Sequence, residues 1–245
     1  MTTRLWWLRP EDIPATPATL ALLSDDERAQ QQRFIPLAKR QEYLATRVLV
    51  RSVLGAALGV PPQALRFVRN AWGRPALAPD LLTAPLHFNV SHTDGLVVCL
   101  ISGDHQVGVD AELISRAPKL LELAPTVFAP RERADLAALP AALQAERAVT
   151  LWTLKESYIK ARGMGLALPL DGFAFHFADG KIHLDVTPAL GDDGACWQFH
   201  CQRLGEHYLA TAMSVRADDC GAGRGAIELI EFTGANTSRT QLPAR

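Results

Sequence analysis

The strongest constraint on the fold is the order in which the hydrophobic period changes along the chain. Apolar residues recur at helical spacing in LAKRQEYLATRVLVRSVLGAALG, with Leu44, Val48, Leu49 and Val53 in register, until Gly59 and Pro61 end the pattern. Ahead of it, SDDERAQQQRF opens with Ser24 as a cap and acids in the first turn, the mark of a helix start. The period then drops to two. LRFVRN and LHFNVS alternate, LVVCLIS is a short apolar run, and TDG between the last two predicts a β-hairpin. Another turn, GD, precedes QVGVDAEL. A second helix is predicted from Ala141 to Arg162, and FAFHF, KIHLDV, CWQFHC and HYLATAMSV follow as strands. A helix and then antiparallel strands, twice over, points to an α+β chain of two similar halves. The expected division is 1–106, 107–217 and a tail, 218–245. In the tail IELIEF can add an edge strand, and the last dozen residues read as disordered.

Composition narrows the function classes. The 245 residues carry a net charge of -1, which argues against a nucleic-acid coat or a membrane-surface protein. No apolar run approaches the ~18 residues of a membrane span. The opening MTTRLWWLRPEDIP has acids and prolines where a secretion signal has its apolar stretch, so a cytoplasmic location is expected. Of the four cysteines, Cys99 in LVVCLIS reads as a buried thiol. Cys196, His200, Cys201 and His207 have the spacing of no standard zinc finger or ribbon.

Acids then stand out. In a strand VGVDAEL, Val107, Val109 and Ala111 face one way, and Gly108, Asp110 and Glu112 the other. Two like charges on one face need a cation or solvent, and the glycine leaves room for something to approach. Oxygen donors without His or Cys suit a hard ion such as Mg²⁺, though a solvated strand face reads the same way. In the second helix, Leu151, Trp152, Leu154, Tyr158 and Ile159 form one apolar arc. Glu156 lies at its border, Lys160 just beyond, and Lys155 inside it. A Glu-to-Lys i,i+4 pair accounts for the outer two but not for Lys155, which must snorkel or find an anion. Glu156 is therefore a candidate to complete the metal set, with Lys155 and Lys160 facing phosphate. Arg74 sits in a Gly-x-Pro turn, and Ser91 and His92 lie at the mouth of the hairpin; these groups can bind phosphate oxygens. Arg40, Arg47 and Arg51, taken singly, read as solvated arginines.

GRP at 73–75, FNVSHT at 88–93, VGVDAEL at 107–113 and LWTLKESYIKARG at 151–163 together resemble the 4′-phosphopantetheinyl transferases of the surfactin-synthetase-activating type. The resemblance spans roughly residues 20–215. It implies a pseudo-dimer of two α+β halves in one chain, in agreement with the repeated element order, with coenzyme A in the cleft between them. It implies Mg²⁺-dependent transfer of the phosphopantetheine arm of coenzyme A to a serine of an apo acyl or peptidyl carrier protein, an activity of the holo-acyl-carrier-protein synthase type, by a monomer. By similarity Asp110, Glu112 and Glu156 surround the metal, Lys160 contacts the pyrophosphate, and Arg74, Ser91 and His92 hold the coenzyme A phosphates. Arg47, in YLATRVLVR, resembles a further phosphate-binding arginine. Glu156 or Glu112 is the candidate base. Ala111 stands where a larger aliphatic residue is usual, and DDERAQQQRF is poorer in basic residues than in some relatives. Two rivals remain at this level: a Mg²⁺-dependent nuclease or phosphohydrolase, for which a basic groove is expected, and a non-catalytic module binding coenzyme A or a carrier protein.

Overall fold

The computed structural model describes residues 3–214, 227–234 and 237–241. They form two compact units: the described residues of 1–70, 75–104 and 226–243, and those of 71–74 and 105–225. Each has its own 22-residue helix and its own sheet.

The first unit holds strands β1 (Thr3–Leu8), β4 (His87–Thr93), β5 (Leu96–Ser102), β11 (Ile227–Phe232) and β12 (Thr237–Gln241), in the order β12-β11-β1-β5-β4. All pairs are antiparallel except β1 with β11. A small hairpin pairs β2 (Phe67–Arg69) with β3 (Pro75–Leu77). Three helices complete the unit: α1 (Pro17–Leu20), α2 (Asp25–Arg33) and α3 (Leu37–Leu58). The Ser24 hydroxyl accepts from Glu27 N and the Glu27 carboxylate accepts from Ser24 N, a reciprocal cap on α2. Gly59, at φ 68°, ends α3 in the left-handed conformation that costs glycine nothing. The predicted face of α3, with Leu44, Val48, Leu49 and Val53, packs with Leu8, Val97 and Cys99 into one apolar core. Cys99 is the buried thiol expected, and desolvation pushes it up to about 12.

Two expectations for the tail change. IELIEF, expected at an edge, is an inner strand, because β1 lies on one side of it and β12 on the other. Residues 237–241, expected to be disordered, pair with β11 as β12. The rest of the last dozen falls mostly outside the described residues.

The second unit holds β6 (Val107–Leu113), β9 (Trp197–Leu204) and β10 (His207–Ser214) in the order β6-β10-β9, and a separate hairpin of β7 (Phe173–Ala178) and β8 (Lys181–Val186). Helices α4 (Ala117–Val127), α5 (Pro130–Ala138) and α6 (Ala141–Arg162) pack with them. The arc of α6 buries Leu151, Leu154, Tyr158 and Ile159, with Trp152 partly covered. Tyr158 meets Phe173, Trp197 and Phe199 at ring distances of 4.9, 5.2 and 6.4 Å. Among the described residues no helix is long and apolar enough to cross a membrane.

Candidate active site

Strand β6 runs directly beneath α6. Opposite Gly108, Asp110 and Glu112, strand β10 presents Ala212, Ala210 and Tyr208. Small residues on this face let the helix come close. A β-carbon on Gly108 would sit 2.5 Å from Ala161 N and nearer still to Ser157 O. The room expected at this glycine is therefore taken by the helix backbone, which brings the acids of β6 to those of α6.

Asp110 is buried, and its Oδ1 accepts from Lys160 Nζ at 2.7 Å. Glu156 lies one helical turn before Lys160. Burial pushes the Glu156 carboxyl above its ordinary pKa, Asp110 and Glu112 push it the same way, and Lys160 opposes them. Glu112 is held by its own turn: it accepts from Leu113 N at 3.0 Å and faces Arg116 Nε at 3.6 Å. Three carboxylates and a lysine from two elements distant in sequence thus act on one another electrostatically, with Asp110 and Lys160 in direct contact. Among the described residues no group of three His, Cys, Asp or Glu side chains stands close enough to hold a metal as placed. The donor chemistry nonetheless fits a hard divalent ion: oxygen ligands only, mutually repelling, with the half-buried Glu156 raised above its ordinary range by partial burial and by its acidic neighbours.

Lys155 goes elsewhere. It was expected to face phosphate, but its side chain and that of Glu132 are each 0% exposed. Its Nζ meets Glu132 Oε2 at 2.9 Å, donates to Leu170 O at 2.8 Å and Phe173 O at 2.9 Å, and lies 4.1 Å from the Phe173 ring centre. Burial lowers the Lys155 pKa and raises that of Glu132, while their attraction opposes both changes. Lysine inside an apolar arc needed an anion, and Glu132 of α5 provides it. Nothing in the local sequence marks which acid that is.

Arg74 also has protein partners. Its Nη1 donates to Ala161 O and its Nη2 to Val107 O at 2.9 Å. Burial lowers its pKa from the ordinary value, yet a guanidinium remains charged.

In the first unit, Arg47 and His92 line a cavity of about 1060 Å³ together with Arg33, Arg66 and Arg69. His92 Nδ1 meets Glu42 Oε1 at 3.1 Å. Arg47 lies 3.7 Å from Glu27, and its buried Nε has no hydrogen-bond partner. Arg51, read from sequence as solvated, is buried: its Nε donates to Glu27 at 2.6 Å and its Nη1 to Pro62 O at 2.7 Å. Ser91 is buried and does not line this cavity, whereas Phe88, Val90 and His92 do. Neighbouring strand residues point to opposite faces, so the structure separates Ser91 from His92. Sequence reasoning missed Glu27, Glu42 and Glu132, the acids that hold the basic groups. Only Glu27 left a signal, as the third residue after the Ser24 cap.

Residues 106–212 match the 4′-phosphopantetheinyl transferase superfamily, and residues 12–104 match the family described as 4′-phosphopantetheinyl transferase, N-terminal. The chain belongs to the 4′-phosphopantetheinyl transferase superfamily. It is 36% identical over 163 residues to the 4′-phosphopantetheinyl transferase HetI of a Nostoc species, covering 66% of this chain and 69% of HetI. It is 33% identical over 179 residues to the 4′-phosphopantetheinyl transferase Sfp of Bacillus subtilis, covering 73% and 77%. A solved holo-(acyl-carrier-protein) synthase of Bacillus anthracis, in complex with CoA (3′,5′-ADP), aligns over 44% of this chain and 94% of its own with 20% identity and a TM-score of 0.38. Membership fixes the reaction as phosphopantetheinyl transfer. The second family segment carries Asp110, Glu112, Glu156 and Lys160, and the first carries Arg47, Ser91 and His92. Neither matched family is a nuclease or a non-catalytic binding module.

Proposed function

We propose that this phosphopantetheinyl transferase moves the phosphopantetheine arm of coenzyme A to the serine of an apo acyl or peptidyl carrier protein and releases 3′,5′-adenosine bisphosphate, with Mg²⁺ held by Asp110, Glu112 and Glu156. The observation that carries the reading is the Lys160–Asp110 pair at 2.7 Å, one helical turn from the half-buried Glu156 carboxyl, whose pKa burial, Asp110 and Glu112 raise. When bound, the ion neutralises the diphosphate and stabilises charge on the leaving oxygen. Lys160, 27% exposed, supplies a second positive centre and can turn from Asp110 to a diphosphate oxygen. The carrier serine must lose its proton as it attacks phosphorus, and Glu156 or Glu112 accepts it. His92 and Arg47, in their basic cavity, are suited to further phosphate groups of coenzyme A. Displacement of this kind is governed by positioning and charge neutralisation.

The test is mass spectrometry of an apo carrier protein incubated with the enzyme, coenzyme A and Mg²⁺. The wild-type enzyme adds one phosphopantetheine group. Asp110→Ala and Glu156→Ala add none, while their circular dichroism matches the wild type. Full transfer by either variant removes the metal assignment, and the same mixture without Mg²⁺ checks the dependence on the ion.

A further inference from the structure

Arg74 is the one predicted phosphate contact whose guanidinium spans two elements of the second unit. We infer that Arg74 is a positioning residue, tying the end of α6 to the start of β6 and so setting Glu156 and Lys160 against Asp110. The inference rests on the assignment of those acids and Lys160 to the reacting centre.

The fork of donors explains why. Its Nη2 donates to Val107 O, three residues before Asp110, and its Nη1 to Ala161 O, the residue after Lys160. Ala161 O belongs to the last turn of α6, where carbonyls lack partners within the helix and a cation is favoured. Between the two anchor points Gly108 lies against Ser157 O and Ala161 N, so helix and strand meet backbone to backbone. At Gly108 no side chain stands between the two, and the Asp110–Lys160 pair lies farther along the strand. A rigid guanidinium with one nitrogen on each element fixes the register at the end of the helix. Gly73, at φ 83°, and Pro75 fix the turn that delivers the side chain. Turning Arg74 toward a phosphate would remove its donors from both carbonyls, and buried groups lose heavily by such an exchange.

A phosphate ligand and a positioning residue predict different losses. For Arg74→Ala, kcat should fall about 10–100-fold, and the Mn²⁺ dissociation constant, read by electron paramagnetic resonance, should rise by a similar factor. Coenzyme A affinity, measured by calorimetry, should hold. Arg74→Lys can keep one carbonyl bond and should fall between; should the alanine variant not fold, it reads the same quantities. A roughly tenfold loss of coenzyme A affinity with kcat and Mn²⁺ binding intact overturns the inference. So does a variant with all of these unchanged. Asp110→Asn is run beside them. If it transfers at the wild-type rate, the assignment of the acids fails, and the inference with it. If it is inactive while Arg74→Ala keeps its kcat and Mn²⁺ affinity, only the positioning role fails.

Discussion

Lys155→Met separates an internal cation from a substrate contact. The substitution keeps most of the side-chain volume but removes the ammonium from Glu132, Leu170 O and Phe173 O. Glu132 would keep only the N–H groups of Ala129 and Phe175, at 2.8 Å each. Removing one partner of a fully buried pair costs about 3–5 kcal/mol, because the other charge stays behind without compensation. For a chain of this size each kcal/mol lowers the melting temperature by about 2–4 °C, so a fall of roughly 6–20 °C is expected. Adding Glu132→Gln removes the stranded charge and keeps an acceptor, and about 1–3 kcal/mol of the loss should return. Urea unfolding followed by circular dichroism measures each variant. Coenzyme A kinetics, taken well below both melting temperatures, should match the wild type. A stability loss below ~1 kcal/mol, as for a solvated ion pair, together with a raised KM for coenzyme A would refute the internal role.

Two further outcomes follow from the acid cluster and the helix above it. Because burial and two like charges raise the Glu156 pKa, the folded state binds more protons than the unfolded state between the unfolded and folded values. With metal chelated, stability should therefore fall as pH rises through that window, and Glu156→Gln should flatten the dependence and raise the neutral-pH melting temperature while abolishing transfer; an unchanged profile would contradict the cluster's geometry. Gly108→Ala drives a methyl group into Ser157 O and Ala161 N. It should cost about 1–3 kcal/mol or more in urea unfolding and depress kcat, and a variant as stable and active as the wild type would show that helix and strand do not meet there.

What could be read from sequence depended on how local each determinant was. Both long helices announced themselves by period, the first also by Gly59 at its end, and the β4–β5 hairpin by its Asp-Gly turn. Asp110 and Glu112 were visible because strand alternation fixes which residues share a face. Glu156 and Lys160 were visible as charges bordering an apolar arc. Lys155 was misassigned for a physical reason: a lysine among apolar neighbours demands an anion, but periodicity does not say whether that anion is substrate or a glutamate on another helix. Ser91 and His92 were grouped as residues at the mouth of the hairpin, although a strand sends neighbours to opposite sides. The pairing of β1 with β11 had no signal at all, since its two partners are separated by most of the chain and parallel neighbours need no turn between them.

That last pairing also bears on time. During synthesis β1 emerges more than two hundred residues ahead of its parallel neighbour, since Thr3 pairs with Ile227. Everything needed for the second unit's sheet, up to Ser214, is translated in between. The first unit's sheet must therefore wait, one side of β1 open, until β11 has left the ribosome.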